Sequence, residues 1–235
     1  MDQIQKTLLE QVADLHEVPS GAYNIRANGT SAGRNTTENI DIITKTDKQG
    51  IDIVIKPGTK KESVHIPVII SETGLEEAVY NDFYVGEDAD VVIVAGCGIH
   101  NSGDKRSKHD GVHSFHIGKN AKVRYVEKHY GQGEGTGERV MNPETIVEIA
   151  EGGSLEMETV QIKGIDSTRR TTKARLDKDA KLVITERLMT HGSQLAETNI
   201  EVDLDGENSS ANLISRSVAR DKSRQVFLSK INGNN

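Results

Sequence analysis

The sequence is poor in the residue types that mark extracellular, nucleic-acid-binding and membrane proteins. Its one cysteine, Cys97, excludes an internal disulfide and is typical of a reducing compartment. Acidic residues outnumber basic ones by 36 to 29, and the formal net charge of -7 argues against a non-specific nucleic-acid binder. No apolar run approaches the ~18 residues of a membrane span, and residues 1–18 do not resemble a signal peptide. We therefore expect a cytoplasmic protein.

Aromatic residues and proline are also scarce, with no Trp, three Phe, five Tyr and four Pro. Few prolines exclude collagen-like and proline-rich sequences. Isoleucine and valine are abundant instead, and together they outnumber leucine by 42 to 12. Because β-branched side chains favour strands over helices, this composition predicts thin, stacked β-sheets.

The N-terminal segment predicts one amphipathic helix over Asp2–His16. Its apolar residues fall on one face, at Ile4, Leu8, Leu9, Val12 and Leu15. Asp2 is the expected N-cap, and Pro19 and Gly21 are expected to end the helix. Residues 26–39 are rich in Gly, Asn, Thr and Ser and predict a flexible loop.

From Ile40 onward the chain predicts short strands without a second helix, which makes βαβ units unlikely. The predicted strands are 40–45, 51–56, 64–70, 79–85, 90–96, 112–117, 121–129, 144–149, 154–162, 170–176, 180–188, 197–204, 210–218 and 225–231. Small residues recur after the turns, at Ala89, Ala121, Ser154 and Ala180, with spacings of 32, 33 and 26 residues. Two strands per period predict an all-β, flattened parallel β-helix, in which each coil stacks on the next. The expected division is residues 1–39 for the helix and loop and residues 40–235 for the β-helix.

The segment 95–117 concentrates metal-binding side chains. It contains Cys97 and four of the eight histidines, which are His100, His109, His113 and His116. Imidazole and thiolate bind borderline and soft metals, but the spacing does not match the usual zinc motifs. If 112–117 is a strand, alternation places His113 and His116 on opposite faces. The alternative is a buried structural cysteine with histidines that satisfy loop hydrogen bonds.

Other functional motifs are weak. The Gly-rich run Tyr130–Gly137 lacks the Lys-Ser/Thr ending of a P-loop and predicts a mobile loop rather than a nucleotide site. No Ser/His/Asp order typical of a hydrolase is picked out over others. Carboxylate pairs such as Asp88 with Asp90 would suit a carbohydrate-active β-helix, but sugar-stacking aromatic residues are few.

Segments along most of the chain resemble the SufB/SufD family of iron–sulfur cluster assembly proteins, in its short bacterial and archaeal form. The matching segments are HEVPSGAYNIRANG (16–29), GIDIVIKPGTKKESVHIPVI (50–69), VYNDFYVGEDADVVIVAGCGIHN (79–101), HDGVHSFHIGKNAKVRYVEKHYG (109–131), GIDSTRRTTKA (164–174) and SRSVARDKSRQVF (215–227). The resemblance implies a right-handed β-helix that is a scaffold rather than an enzyme. It also implies an ABC-type ATPase partner (SufC), a sulfur donor, and a SufB/SufD-like partner or a second copy.

The resemblance also implies which residues bind sulfur or iron. Cys97 and His113 match family positions, and His100 and His116 are the further metal-ligand candidates nearest in sequence. One cysteine cannot hold a cluster alone, because iron–sulfur clusters usually take four ligands. A transient cluster would therefore need a partner, and Cys97 would supply one ligand or carry persulfide sulfur. Family members usually continue beyond this chain into C-terminal helices, which we expect to be absent. The alternative function is a structural, partner-binding β-helix without a metal role.

Overall fold

The structure is a computed structural model that describes residues 1–13, 15 and 19–234. These residues form one helix and two β-sheets. The elements are α1 (Gln3–Ala13), β1 (Ala22–Ala27), β2 (Thr30–Asn35), β3 (Ile40–Thr44), β4 (Gly50–Ile55), β5 (Lys60–Ile70), β6 (Glu76–Val85), β7 (Asp90–His100), β8 (Ser107–Ile117), β9 (Lys122–Gln132), β10 (Arg139–Met141), β11 (Glu144–Ile149), β12 (Ser154–Lys163), β13 (Ser167–Leu176), β14 (Lys181–Thr190), β15 (Leu195–Leu204), β16 (Ser210–Ala219) and β17 (Arg224–Gly233).

From β5 to β17 the chain alternates between the two sheets, with β10 and β11 together occupying one strand position. Sheet A has the order β16-β14-β12-β9-β7-β5-β1-β2. Sheet B has the order β17-β15-β13-β10-β8-β6-β4-β3, and β11 continues the short strand β10 between β8 and β13. Apart from the antiparallel pairs β1–β2 and β3–β4, the strands pair in parallel. The described residues therefore form six stacked coils, which confirms the predicted parallel β-helix with two strands per coil.

One corner of each coil repeats the same tight turn. A residue with positive φ is followed by a small residue, and the positive-φ positions include Asp88, Asn120, Gly152, Asp179 and Asn208. Asp, Asn and Gly tolerate this conformation better than other residues, which explains the turn composition. The predicted repeat is wrong at one point, because Ser154 pairs with Lys122, so Gly153 is the equivalent of Ala121.

The N-terminal helix is confirmed over Gln3–Ala13, and the predicted residues Asp14 and His16 lie outside the described residues. Asp2 caps it as predicted, since the Gln5 amide donates to Asp2 Oδ1 at 2.8 Å. This is the only helix in the described part of the chain, and it is not long and apolar enough to cross a membrane.

The prediction of a flexible loop over residues 26–39 is wrong. The segment contains the end of β1 and all of β2, which form an antiparallel hairpin. Asn28 and Gly29 both have positive φ, 48° and 77°, as a type I′ hairpin turn requires. The Asn-Gly pair was the available signal, but the polar, exposed strand β2 lacks the apolar alternation that would have revealed it.

The helix packs on the outer face of sheet A, directly behind Cys97. Leu8, Leu9 and Val12 are buried there. A Cβ on Gly98 would lie 3.1 Å from the Leu8 side chain, and one on Gly96 would lie 2.5 Å from the Val12 carbonyl oxygen. The two glycines that flank Cys97 therefore let the helix approach the backbone of β7.

The space between the sheets is apolar at both corners and polar in the middle. The main core of Ile, Val and Phe side chains lies at the corner with the tight turns, and Phe83 stacks on Phe115. A second apolar cluster at the other corner includes Cys97, Ile99 and Met141. Buried polar side chains separate the two clusters, so apolar patterning detects only part of each strand. Strand β8 was predicted as 112–117 but begins at Ser107.

Candidate functional site

Cys97 points into the β-helix near the end of β7. Val91, Ile93, Ala95 and Cys97 are buried on one face of this strand, as the alternation predicts. The thiol is closed off from solvent, with only 3% of the residue exposed. Burial raises the pKa of the Cys97 thiol well above its usual value, and the carboxylates of Glu77 and Glu127 raise it further. At neutral pH the residue is therefore a protonated, unreactive thiol until its surroundings change.

A cavity of about 20 Å³ lies beside the thiol. Its polar lining comes from both sheets, with Cys97 and His129 on sheet A facing His109 and His113 on sheet B. Cys97 and His129 are direct neighbours in the parallel register of β7 and β9. A cavity of this size holds about one water-sized guest. It accommodates one sulfur atom or one metal ion but not an assembled cluster.

His113 is the most constrained of these histidines. Tyr125 donates its single hydroxyl proton to Glu127 Oε1 at 3.0 Å, so the 2.7 Å contact between His113 Nδ1 and Tyr125 Oη requires His113 to be the donor. The Nε2 atom then carries a lone pair, which accepts a long 3.3 Å hydrogen bond from the Asn81 amide. Burial lowers the pKa of His113 to about 4, against the opposing effect of Glu127. The ring is therefore a neutral imidazole with a basic Nε2.

His109 is held by a carboxylate on the neighbouring strand β6. Its Nδ1 lies 3.1 Å from Glu77 Oε1, and Arg26 donates to the other oxygen of Glu77 at the same distance. Burial would raise the pKa of Glu77, but His109 and Arg26 reverse this effect and lower it. The ionised Glu77 carboxylate accepts a hydrogen bond from Nδ1 of His109, so the Nε2 atom of His109 stays available on the cavity side. Metal-binding histidines commonly have such a carboxylate partner.

A buried ion pair joins the cavity to the next coil. Arg170 donates to Glu127 Oε2 at 2.5 Å, and both side chains are about 95% buried. Burial alone would raise the pKa of Glu127, but Arg170 and His129 hold it well below the usual value. The site therefore combines a fixed negative charge, a fixed positive charge and neutral imidazole.

The depressed pKa of His113 predicts a loss of stability in mild acid. The unfolded chain binds this proton near pH 6.5, whereas the folded chain binds it only near pH 4, so unfolding takes up a proton between these values. Stability contributed by the neutral ring is therefore complete above pH 6.5 and falls as the pH drops toward 4, by up to about 3 kcal/mol. Urea unfolding of the wild type and of His113→Asn at pH 7 and pH 5 measures this effect. Equal pH dependence in the two proteins would contradict it.

The structure does not bring the four predicted ligands together. His116 lies on the outer face of sheet B, where it stacks on Tyr84 and its Nδ1 contacts Glu148 at 2.9 Å. It lines an open groove of about 780 Å³, away from the Cys97 cavity. His100 lies three residues after Cys97 on β7, so strand alternation places it on the other face, and it does not line the cavity. In residues 1–13, 15 and 19–234, no three His, Cys, Asp or Glu side chains are already arranged to hold a metal ion.

The sequence predictions did not include the polar residues Glu77, Glu127, His129 and Arg170 around the cavity, and they named His109 without selecting it as a ligand. One signal for His109 was available in the sequence. His109 and His113 are four residues apart, so they lie on the same face of a strand that starts at residue 107. The other residues come from strands that are distant in sequence, and only the pairing of the coils brings them together.

The Gly-rich run is held in place rather than free. Gly135 and Gly137 donate backbone hydrogen bonds to Asn101 and Gly103, each at 3.0 Å. A Cβ on Gly133 would lie 2.1 Å from the carbonyl oxygen of Asn101, so glycine permits the close stacking of two corner loops. The predicted mobile loop is therefore a hydrogen-bonded part of the solenoid.

Comparison with known proteins identifies the family of this chain. Residues 75–234 match the family model described as "SUF system FeS cluster assembly, SufBD core domain". The chain belongs to the SufBD family. The resemblance noted in the sequence is therefore confirmed.

Two archaeal SufBD relatives are similar over most of the chain. An iron–sulfur cluster assembly SufBD family protein of Methanocaldococcus jannaschii is 30% identical over 184 residues, which are 77% of this chain and 57% of the relative. A SufBD family protein of Archaeoglobus fulgidus is 25% identical over 177 residues, 74% of this chain and 46% of the relative. The chain thus spans about half the length of the curated relatives it matches. The matched SufBD core contains Cys97 and most of its cavity.

Proposed function

We propose that the chain is a scaffold component for iron–sulfur cluster assembly and that Cys97 accepts one sulfur atom inside the β-helix. The observation that carries this proposal is the cavity of about 20 Å³, which joins the single thiol to three histidines. SufBD family membership supports the assembly role. The size of the cavity favours one sulfur atom over a complete cluster.

The sulfur transfer is a thiol–persulfide exchange. The Cys97 sulfur attacks the outer sulfur of a donor persulfide, R–S–SH, and the S–S bond of the donor breaks. Cys97 becomes a persulfide, and its former thiol proton ends on the departing R–S⁻ as R–SH. No external oxidant or reductant is needed. Because the thiol is buried, the donor reaches it only when a corner of the coil opens.

Assembly beyond this step needs partners. We propose that an ABC-type ATPase of the SufC kind binds the scaffold and that its ATP cycle opens the coil, since no P-loop occurs in this sequence. We further propose that a second SufBD-like subunit or a second copy completes the ligand set of a transient cluster. Cys97 and His113 are the ligands that this chain would contribute. Gel filtration of the chain with the ATPase, with and without ATP, tests this partnership.

The competing function is a structural β-helix in which Cys97 is inert. Complete burial and the raised pKa of its thiol favour this alternative, because reactive cysteines are normally accessible and have a lowered pKa. The two functions predict different sulfur uptake by the folded protein.

The deciding experiment treats the reduced, folded protein anaerobically with cysteine persulfide and measures its mass. We expect the mass to increase by one sulfur atom in the wild type and to stay unchanged in Cys97→Ala. The same reaction in denaturant shows that the thiol itself is competent. If only the unfolded wild type takes up sulfur, and the folded protein takes up none even with the ATPase and ATP present, the structural alternative is correct. Iron and acid-labile sulfide, measured after reconstitution of both proteins, then show whether the sulfur enters a cluster.

A further inference from the structure

A gap lies between two histidines on the inner face of β8. His109, Gly111 and His113 occupy alternate positions of this strand, and all three are buried and line the Cys97 cavity. A Cβ on Gly111 would lie 3.4 Å from His109 Nε2 and 3.5 Å from His113 Nε2. The two nitrogens therefore flank the space that the missing side chain leaves, no more than 6.9 Å apart, the sum of those distances.

Nε2 of each ring borders this space, and Nε2 of His113 also accepts the long 3.3 Å hydrogen bond from the Asn81 amide, which an incoming ion would replace. His113 donates its Nδ1 proton to Tyr125, and Nδ1 of His109 faces the carboxylate of Glu77. A ring that carries its proton on Nδ1 alone has its lone pair on Nε2. The partner at Nδ1 fixes the tautomer and increases the basicity of Nε2, as outer partners do for metal-bound imidazoles.

The space has the size and lining of a single-ion site. The cavity holds about one water-sized guest, and Cys97 lies on its opposite wall. Two imidazoles and one sulfur suit a borderline divalent transition metal better than Mg²⁺ or Ca²⁺, which prefer oxygen ligands. The ionised Glu77 and Glu127 nearby offset part of the charge of such an ion.

We infer that the gap over Gly111 binds one ferrous ion as cargo, with His109 and His113 as nitrogen ligands and Cys97 as sulfur ligand. The inference deepens the proposed assembly role and rests on it for the choice of iron. Since the described residues contain no ready-made set of three ligands, the rings turn toward the ion as it binds. Coordination by Cys97 releases its thiol proton, and the oxidation state of the iron does not change.

The function of this site would be to place iron beside the incoming sulfur. A ferrous ion at the gap lies across the cavity from Cys97, so a persulfide formed there meets iron without crossing solvent. The first iron–sulfur bond then forms inside the coil, before a partner contributes the remaining ligands.

Anaerobic metal titration of the untagged protein tests this inference. Fe²⁺ affinity is measured by competition with a chromophoric chelator, and Co²⁺ serves as an optical probe because thiolate ligation gives a near-ultraviolet charge-transfer band. We expect one equivalent of either metal to bind the wild type with this band. Absence of binding, or binding without the band, would overturn the proposed ligand set.

Asparagine variants remove one nitrogen at a time. In His109→Asn the amide replaces Nδ1 and keeps the donor to Glu77, while the Nε2 ligand is lost, and His113→Asn does the same toward Tyr125. We expect each to weaken metal binding at least about tenfold. His116→Asn is the matched control, since its ring makes the same kind of Nδ1 contact to Glu148 on the outer face. If the affinity of His109→Asn equals that of His116→Asn, the inference is wrong.

Gly111→Ala provides a second test that retains both histidines. Its added methyl makes contacts of 3.4 and 3.5 Å, which a folded protein accommodates, but it occupies the proposed ion position. We expect an unchanged thermal midpoint and weakened metal binding, and unweakened binding would contradict the site.

Sulfur uptake separates this inference from the proposed function. If His109→Asn still gains one sulfur atom from cysteine persulfide and the wild type binds no Fe²⁺, the iron site fails while the scaffold function stands. If the folded wild type takes up no sulfur but binds Fe²⁺ at these histidines, the sulfur-transfer function fails instead.

Discussion

Replacing Arg170 by methionine is expected to lower the free energy of unfolding by about 3–5 kcal/mol. Arg170 and Glu127 form a 2.5 Å ion pair inside the solenoid, with both side chains about 95% buried. Methionine fills similar space but leaves the Glu127 carboxylate without its cation. Breaking a buried pair on one side is costly, because the remaining charge is neither solvated nor neutralised.

Urea unfolding of three variants measures this effect. Arg169→Met is the matched control, since Arg169 precedes Arg170 on β13 but is 69% exposed and pairs with Glu197 at the surface. We expect this control to change stability little, as is usual for surface ion pairs. The double variant Glu127→Gln/Arg170→Met removes both charges and is expected to recover much of the loss. Equal effects of Arg169→Met and Arg170→Met would show that the buried pair has no special role.

Replacing Gly96 by alanine is expected to destabilise the protein by about 2–3 kcal/mol and to loosen the N-terminal helix. The new Cβ would lie 2.5 Å from the Val12 carbonyl oxygen and 2.9 Å from the carbonyl oxygen of Lys128. Both are backbone atoms, so either the helix or strand β9 must move. Since Leu8, Leu9 and Val12 bury their side chains on this face, displacement of the helix exposes them to water.

Gly98→Ala is the matched control for this prediction. Its Cβ would lie 3.1 Å from side-chain atoms of Leu8, which can turn away at lower cost than a backbone carbonyl. Chemical denaturation gives the two stabilities, and hydrogen exchange of the Gln3–Ala13 amides reports whether the helix has loosened. Similar losses of stability in the two variants, or unchanged hydrogen-exchange protection of the helix in Gly96→Ala, would contradict this account of how the helix packs against β7.

The regular part of the fold could be predicted from the sequence. Runs of Ile and Val bounded by Gly, Asp and Asn located most strands of the six coils, because strand propensity and turn chemistry act over a few residues. The one-sided apolar pattern and Asp2 likewise located the helix and its cap. The hairpin over β1 and β2 was missed, because its second strand is exposed and polar and shows no apolar period.

The candidate site could be predicted only at its centre. Resemblance to the SufB/SufD family selected Cys97 and His113, and strand alternation correctly separated His113 from His116. Alternation alone could not place His109 on the same face while the start of β8 was unknown, because its polar residues Ser107–Gly111 conceal the strand.

The sequence by itself determined the family and the β-helix with two strands per coil. The tertiary structure decided which polar groups meet at the Cys97 thiol. Glu77, Glu127, His129 and Arg170 lie on three different strands, β6, β9 and β13, and their meeting depends on the register between coils and on which sheet faces which. Local propensities do not encode this register. It follows from stacking the apolar corners of successive coils, which fixes the polar groups between them.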